Sequence, residues 1–400
     1  METAKLDRPV YLDCAASTPV RPVVLDAMMP YLTEHFGNPS GAHRMARSSR
    51  AAIDDAREVC ATLLGFGPHE IVFTSGGTES DNLAIHGVCG PNGIAVCPET
   101  EHHAVLYPVE SHNGRLVGVT SDGDIDLEHL EAVLDEDVSV VSVMLVNNES
   151  GRIIDLDAVA EVRDRCAPQA LLHTDAVQAV NWLDIVNAAR RADMMSLSGH
   201  KFGAPKGIGL LAVRNQVAVV PQILGGGQEA ERRSGTHNTA GIVALGAALE
   251  CLDESRESEI DRLGDLSERL ASGLAAAIPG CFETIPQSQR AAGLLQVVIE
   301  DVESEALLVL LERHGVMASA AASCASGAMD PSHVLAAMGM DRTVAAGSLR
   351  LSLGWCTEDW EVEHAVEAIP GCVDQLRGAS GGVCWSRCQG VSTVLFRLPS

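Results

Sequence analysis

The chain has 400 residues, 46% of them hydrophobic and 20% charged, which is the composition of a globular protein large enough for two domains and excludes a disordered one. Its 28 Lys+Arg against 54 Asp+Glu give a formal charge of −26, which argues against nonspecific nucleic-acid binding, since that rests on basic residues neutralising phosphates. The twelve cysteines are irregularly spaced, with no CxxC and no zinc-type pairing, and no apolar run has the length of a signal peptide or a membrane span, so a reducing cytoplasm is the expected compartment.

The stretch Tyr11-Leu12-Asp13-Cys14-Ala15-Ala16-Ser17-Thr18-Pro19 reads as a short strand entering a loop, and Pro22 opens a helix. After the loop signal Phe36-Gly37-Asn38-Pro39-Ser40, Ile53, Ala56, Cys60, Leu63 and Leu64 lie on one face of a long helix that Gly65 ends. Glu70 to Thr74 is a strand, followed by Ser75-Gly76-Gly77-Thr78-Glu79-Ser80 and a helix over 82–88. Strand, Gly-Gly-Thr turn and helix start together form an anion site of free N–H groups, although alone the turn is equally a plain strand-helix connection.

The alternation continues with a strand at Ile94–Cys97, a helix opening at Thr100-Glu101-His102-His103, and a β-branched run at Val138–Val146 ending in Asn147-Asn148-Glu149. A helix at Asp155–Cys166 precedes the strand Leu171-Leu172-His173-Thr174-Asp175, with Gln178 three residues on. Met194–Ser198 is the strand before Gly199-His200-Lys201, and a second apolar run follows at Ile208–Val213. Polar, reactive residues thus sit repeatedly at strand carboxyl ends, where open α/β sheets bind ligands, and the alternation implies a mostly parallel sheet wrapped by helices. A long helical region from Ala240 to about Ile278 leads into a smaller α+β part, with strands at Leu294–Ile299 and Ser348–Leu353 as sheet partners and helices at Ser304–His314, near Val334 and at Glu358–Leu376. Between those strands, Ala318 to Gly327 is a run of small residues around Cys324, and Gly378 to Ser400 is expected to be a loosely ordered tail.

Lysine is costly to bury, and Lys201 at a strand end between two apolar runs is either an exposed hairpin residue or an amine held in a partly dry pocket to attack a carbonyl. The cofactor that pairs a Schiff-base lysine with an acid at its ring nitrogen is pyridoxal phosphate (PLP). Asp175 suits the ring nitrogen, Gln178 the ring hydroxyl, His102 the ring face, and Gly77, Thr78, Ser198 and His200 the phosphate. Each has a bland reading when taken singly: His102 as a helix-start polar residue, Asp175 as a cap, Thr78 as an N-terminal hydroxyl. The ordered set points to the cofactor.

Over roughly Val10 to Arg377 the chain resembles the NifS/IscS-like cysteine desulfurases, a class-V group of PLP fold type I enzymes. The resemblance rests on Tyr11-Leu12-Asp13 with Ala15-Ala16, Phe36–Ser40, Phe73–Glu79, Thr100-Glu101-His102, Val146–Glu149, His173–Gln178, Ser198-Gly199-His200-Lys201, Arg233-Ser234-Gly235-Thr236, Ser323-Cys324-Ala325-Ser326, Asp330–Leu335 and Leu349–Gly354. It implies a large domain (16–255) with a mostly parallel seven-stranded sheet flanked by helices, and a smaller α+β domain (1–15 and 256–377). It further implies that Lys201 carries the cofactor and shuttles protons, that His102 stacks on the ring and serves as acid or base, and that Asn148 and Arg350 bind the substrate carboxylate. Cys324 is the implied nucleophile, taking sulfur from L-cysteine as a persulfide and leaving L-alanine. The implied assembly is a homodimer in which Thr236 reaches the other subunit's cofactor phosphate. A sulfur acceptor is expected, such as an iron–sulfur scaffold or a thiolation enzyme, with handover of persulfide or a [2Fe-2S] cluster through Cys324. No resident metal, nucleic acid or membrane is expected. Selenocysteine lyase and class-V aminotransferase remain alternatives on the same fold, and a non-catalytic scaffold is the reading from another class.

Four departures stand out. Cys14 replaces the usual Asn or Tyr after Leu-Asp and is a candidate second thiol near the site. Ala320-Ala321-Ala322 replaces a more Ser/Gly-rich run. His237 stands where Glu or Leu is more usual, and the tail with Cys384 and Cys388 does not resemble the family's segment.

Overall fold

A computed structural model describes residues 8–320 and 332–381. Among them the main sheet has seven strands: β2 (Ile71–Thr74), β3 (Ile94–Pro98), β4 (Arg115–Val117), β5 (Val138–Ser142), β6 (Leu171–Asp175), β7 (Met194–Ser198) and β8 (Gly209–Val213), in the spatial order β2-β8-β7-β6-β5-β3-β4. Only β8 runs against its neighbours, pairing antiparallel with both β2 and β7. The sheet is therefore mostly parallel, as the sequence predicts.

Its strands are apolar on both faces because both faces are covered. Met195, Leu197, Leu210 and Ala212 point into one core, while Met194, Leu211 and Val213 point into the other. This two-residue alternation splits a continuous apolar run between two helical layers.

The first strand, β1 (Val10–Tyr11), pairs in parallel with β11 (Val316–Met317), and β9 (Cys281–Glu283), β10 (Leu294–Ile299) and β12 (Ser348–Ser352) form an antiparallel sheet in the order β12-β10-β9. The sequence-predicted pairing of the last two is found, with Gln296 opposite Arg350. Val10 and Leu12 lie in the core of this smaller part, while Ala15 already lies in the core of the larger one. The N-terminal segment thus crosses between them beside the site.

A 39-residue helix, Thr239–Ala277, spans both parts. Its residues up to Leu252 pack in the large core and Leu263 to Leu274 in the smaller one. Residue 255, where the sequence suggests a boundary, falls inside this unbroken helix. Several further boundaries differ from the sequence reading. The helix predicted over 82–88 starts at Gly77, the one predicted to open at Thr100 starts at His103, and the last helix continues to Gly381, four residues into the predicted tail. β5 ends at Ser142 rather than Val146, although Val143 and Leu145 still donate to the carbonyls of His173 and Asp175 on β6.

Candidate active site

The carboxyl ends of β2, β3, β5, β6 and β7 share one edge of the large sheet. Lys201 closes the single turn Gly199–Lys201 that follows β7. Its Nζ donates to the carbonyl oxygens of Ala15 at 2.7 Å and Ala16 at 2.9 Å. Burial, and then the Arg350 guanidinium, push it down to about 8 against the pull of Asp175 and Asp13. An amine at this value is about a tenth unprotonated at pH 7, far more than a free lysine. β7 and β8 do form a hairpin, yet Lys201 is partly buried rather than exposed.

Asp175 ends β6, beside β7, and is 8% exposed. Its Oδ1 accepts from Val177 N at 2.8 Å, and its other oxygen makes no hydrogen bond among the described residues. Burial raises it to about 6, with the Val177 N–H and Lys201 holding it down, so it is an anion at neutral pH. Gln178 donates from Nε2 to Ala15 O at 2.8 Å, so one carbonyl receives both the glutamine and the lysine.

His102 caps the helix His103–Ser111, its Nδ1 accepting from Ala104 N at 3.1 Å. Loss of solvent around its nitrogens, then Lys201, His103 and His333, push it down to about 4, although the residue as a whole stays exposed. The ring is therefore neutral at pH 7, with Nε2 carrying the proton. His200 is likewise pushed down to about 4 by burial and the nearby Lys201 and Lys206, and pairs with Ser17 Oγ at 3.2 Å.

The anion turn is well formed. Gly76 adopts φ 155°, ψ −177°, a region that glycine alone occupies readily. A Cβ on Gly77 would lie 2.9 Å from Val177 Cγ2 and 3.4 Å from Ser198 Cβ, so this backbone packs directly on the neighbouring strand ends. The N–H groups of Gly77 and Thr78 open the 12-residue helix Gly77–Val88 and make no hydrogen bond among the described residues. Glu79 in the same turn pairs with Arg233 at 2.8 Å and accepts from Ser75 N at 2.8 Å. That pairing ties the 233–236 segment to the cradle. Thr236 itself is exposed. His237, one of the departures, bonds Glu229 at 2.8 Å, beside the Arg57–Glu229 pair.

On β12, Arg350 donates from Nη1 to Asn148 O at 2.8 Å and pairs through Nη2 with Asp13 at 2.8 Å, while its buried Nε has no partner among the described residues. Asn148 thus meets Arg350 through its backbone carbonyl. Next to it, Glu149 is 2% exposed, accepts from the Ser332 hydroxyl, and is pushed up to about 7 by burial. His333 Nε2 lies 2.9 Å from the backbone oxygen of Glu101, and Ser319 forms a two-residue bridge with Arg350.

Cys324 lies outside the described residues. The structure brings together Gly77, Thr78, Asp175, Gln178, Ser198, His200, Lys201 and His102 along the strand ends, and joins Asn148 to Arg350. Sequence reasoning did not single out Asp13, the Ala15 and Ala16 carbonyls, Glu149, Ser332 or His333. All of them lie within the motifs already noticed at 11–16, 146–149 and 330–335, and that motif membership is the available signal.

The Aminotransferase class-V pattern matches residues 10–364. The chain belongs to the class-V aminotransferase family, in its cysteine desulfurase branch. It is 39% identical over 383 residues to the cysteine desulfurase IscS of Methanosarcina thermophila, covering 94% of each chain. It is also 39% identical over 380 residues to a cysteine desulfurase of Nostoc sp., covering 93% of this chain and 94% of that one. Among solved structures, a NifS-like protein superposes with TM-score 0.86 at 33% identity, over 92% of this chain and 100% of its own. SspA in complex with cysteine superposes with TM-score 0.75 at 32% identity, over 86% and 98% respectively. The likeness to these structures carries the fold type I architecture, and this chain's seven-stranded, mostly parallel sheet is in keeping with it.

Proposed function

We propose that this desulfurase works on L-cysteine with PLP as its cofactor and Cys324 as its nucleophile. The residues present fit that cofactor. A partly dry lysine, a buried carboxylate with one open oxygen, and a cradle of free N–H groups against which no extra Cβ fits lie along one sheet edge. When bound, PLP supplies an electron sink for bonds at the substrate's α- and β-carbons.

The chain's own residues do the rest. Lys201 Nζ would hold the cofactor aldehyde, and its amine would carry a proton to and from the substrate α-carbon. Asp175, as an anion, keeps a proton on the ring nitrogen, and Gln178 meets the ring hydroxyl. His102, neutral with its proton on Nε2, would stack on the ring and serve as acid or base. Gly77, Thr78, Ser198 and His200 hold the phosphate, and Thr236 reaches the phosphate of a second subunit. Arg350, held in place by its bonds to Asp13 and Asn148 O, keeps further N–H groups on its guanidinium fork for the substrate carboxylate. The Cys324 thiolate attacks the substrate sulfur; the new S–S bond forms as the Cβ–S bond breaks, leaving alanine after protonation.

The observation that carries this reading is how the chain enters and leaves residues 321–331. Ser319 is bridged to Arg350, and Ser332 is bonded to Glu149, the neighbour of Asn148. Both roots therefore start from the substrate-carboxylate face, and Cys324 is only four residues from Ala320, a span of at most about 14 Å. In this reading residues 16–255 hold the cofactor, and residues 1–15 with 256–377 carry the cysteine segment. A homodimer is supported by the exposed apolar residues Val23, Met29, Leu32, Phe36 and Leu224, the last 80% exposed. The sulfur passes to an acceptor protein of iron–sulfur assembly or thiolation. Among the described residues no helix is long and apolar enough to cross a membrane.

The direct test is Cys324→Ala. It is expected to abolish sulfide and alanine release from L-cysteine while the cofactor absorbance persists. Full activity in this variant would refute the nucleophile assignment.

A further inference from the structure

Residues Glu229, Ala230 and Glu231 form a left-handed turn, with φ of 52°, 54° and 67°. None of them is glycine, and L-residues enter this region in a run only where their surroundings fix them there. Glu229 supplies the fixing. Its side chain is buried, and four donors converge on its carboxylate. They are Arg57 Nη1 at 2.8 Å, Arg57 Nη2 at 2.7 Å, Phe73 N at 2.9 Å and His237 Nε2 at 2.8 Å, two on each oxygen. Burial opposes the charge, but the bonds from His237 and Arg57 outweigh it and push Glu229 down to about 2, so an anion accepts all four. Arg57 comes from the helix Arg44–Leu64 and Phe73 from β2, so the turn is held against the large domain's core.

Thr236 stands between two ends of this network. Before it, Gly235 N donates to Gln228 Oε1 at 2.8 Å. After it, His237 reaches Glu229, and Asn238 caps the 39-residue helix by accepting from Gly241 N at 3.0 Å. The Nδ1 of His237 is buried without a partner among the described residues, so the ring is committed to Glu229 through Nε2 alone. Thr236 itself is exposed, and its hydroxyl makes no hydrogen bond among the described residues. A free hydroxyl between pinned neighbours is a donor whose ordering is complete before any anion arrives, which favours tight binding.

We propose that Glu229 and His237 are positioning residues that hold Thr236 ready for the cofactor phosphate of the partner subunit, so that each subunit presets the other's cofactor site. The proposal rests on the homodimer and PLP readings given above. It adds that the left-handed turn and its buried carboxylate act across the subunit boundary rather than on the site of their own chain.

The test mixes subunits. Two differently tagged copies of the full chain are co-expressed, and the mixed dimer is isolated by two successive affinity steps. In one arrangement Glu229→Gln and Lys201→Ala lie on the same chain, so the remaining lysine site is on the unaltered chain and receives Thr236 from the altered one. In the other, the two substitutions lie on opposite chains, so the remaining lysine site receives Thr236 from a chain whose Glu229 is intact. PLP is titrated into the cofactor-free dimers and followed by the absorbance of the lysine-bound cofactor. The first arrangement should bind PLP roughly tenfold more weakly than a control carrying Lys201→Ala alone on one chain, and the second should match the control. His237→Ala in place of Glu229→Gln should give the same order with a several-fold loss, and it serves the test where the Glu229→Gln chain does not fold. A loss of equal size in both arrangements, a loss confined to the second, or no loss in either would overturn the proposal. A monomeric wild type would overturn the dimer reading and the proposal with it, and a wild-type dimer that takes up no PLP would do the same to the cofactor reading.

Discussion

Ser319 and Arg350 exchange both backbone hydrogen bonds, Arg350 N to Ser319 O at 2.7 Å and Ser319 N to Arg350 O at 3.2 Å. The strand that carries the proposed carboxylate-binding arginine therefore also holds the chain as it enters the cysteine segment. Substrate binding and the root of the nucleophile's segment share one strand.

Arg350 satisfies two partners at once because its guanidinium is a planar fork. Lysine offers a single point charge and cannot face Asp13, Asn148 O and a substrate carboxylate together. Arg350→Lys is expected to lose about 2–3 kcal/mol of charged hydrogen bonding, a fall of roughly 30- to 150-fold in kcat/KM for L-cysteine, mostly through KM. Steady-state kinetics measure this, and an unchanged KM would contradict it.

Lys201 is lowered to about 8, and only its unprotonated amine attacks an aldehyde. The rate at which cofactor-free protein captures PLP should therefore rise with pH through about 8 and level off above it. Stopped-flow absorbance follows the capture. A rate independent of pH between about 6.5 and 9.5 would show that the lysine is not the titrating group.

Glu149 is raised from 4.5 to about 7 by burial. A buried acid with a raised value binds its proton more tightly folded than unfolded, so stability falls as pH rises through that interval. The loss amounts to at most roughly 3 kcal/mol and is complete above about pH 7. Glu149→Gln removes the titration. Its urea midpoint should match the wild type near pH 4.5 and exceed it at pH 8. A wild-type stability curve with no such decline would contradict the sign.

Gly77 has no room for a side chain: a Cβ there meets Val177 Cγ2 at 2.9 Å. Gly77→Ala should destabilise the protein by about 1–3 kcal/mol and shift the N–H cradle. Thermal unfolding would report the first effect, and a PLP titration the second as a roughly tenfold or greater loss of affinity. Wild-type affinity in this variant would remove Gly77 from the phosphate site.

The sequence made the strand-end residues legible because each short apolar run stops at a polar or glycine signal. Asp175, Lys201 and the Gly76-Gly77 turn stand on one sheet edge for that reason alone. Helix starts were less legible. The Gly-Gly-Thr turn reads as loop by propensity, yet free N–H groups there already belong to the helix Gly77–Val88. Contacts between distant parts were not legible at all. Asp13 with Arg350 and Glu149 with Ser332 each join residues more than 180 positions apart, and no local pattern encodes such a partner. Gln178 likewise bonds the Ala15 carbonyl, 163 positions away, a contact that its residue type does not announce.

Mapping the persulfide tests the central claim most directly. PLP-loaded protein is mixed with L-cysteine, quenched with an alkylating agent, and digested for mass spectrometry. The account predicts one added sulfur on Cys324, formed in step with one alanine. Alanine release without added sulfur on Cys324, or with the sulfur residing on another cysteine, would contradict it.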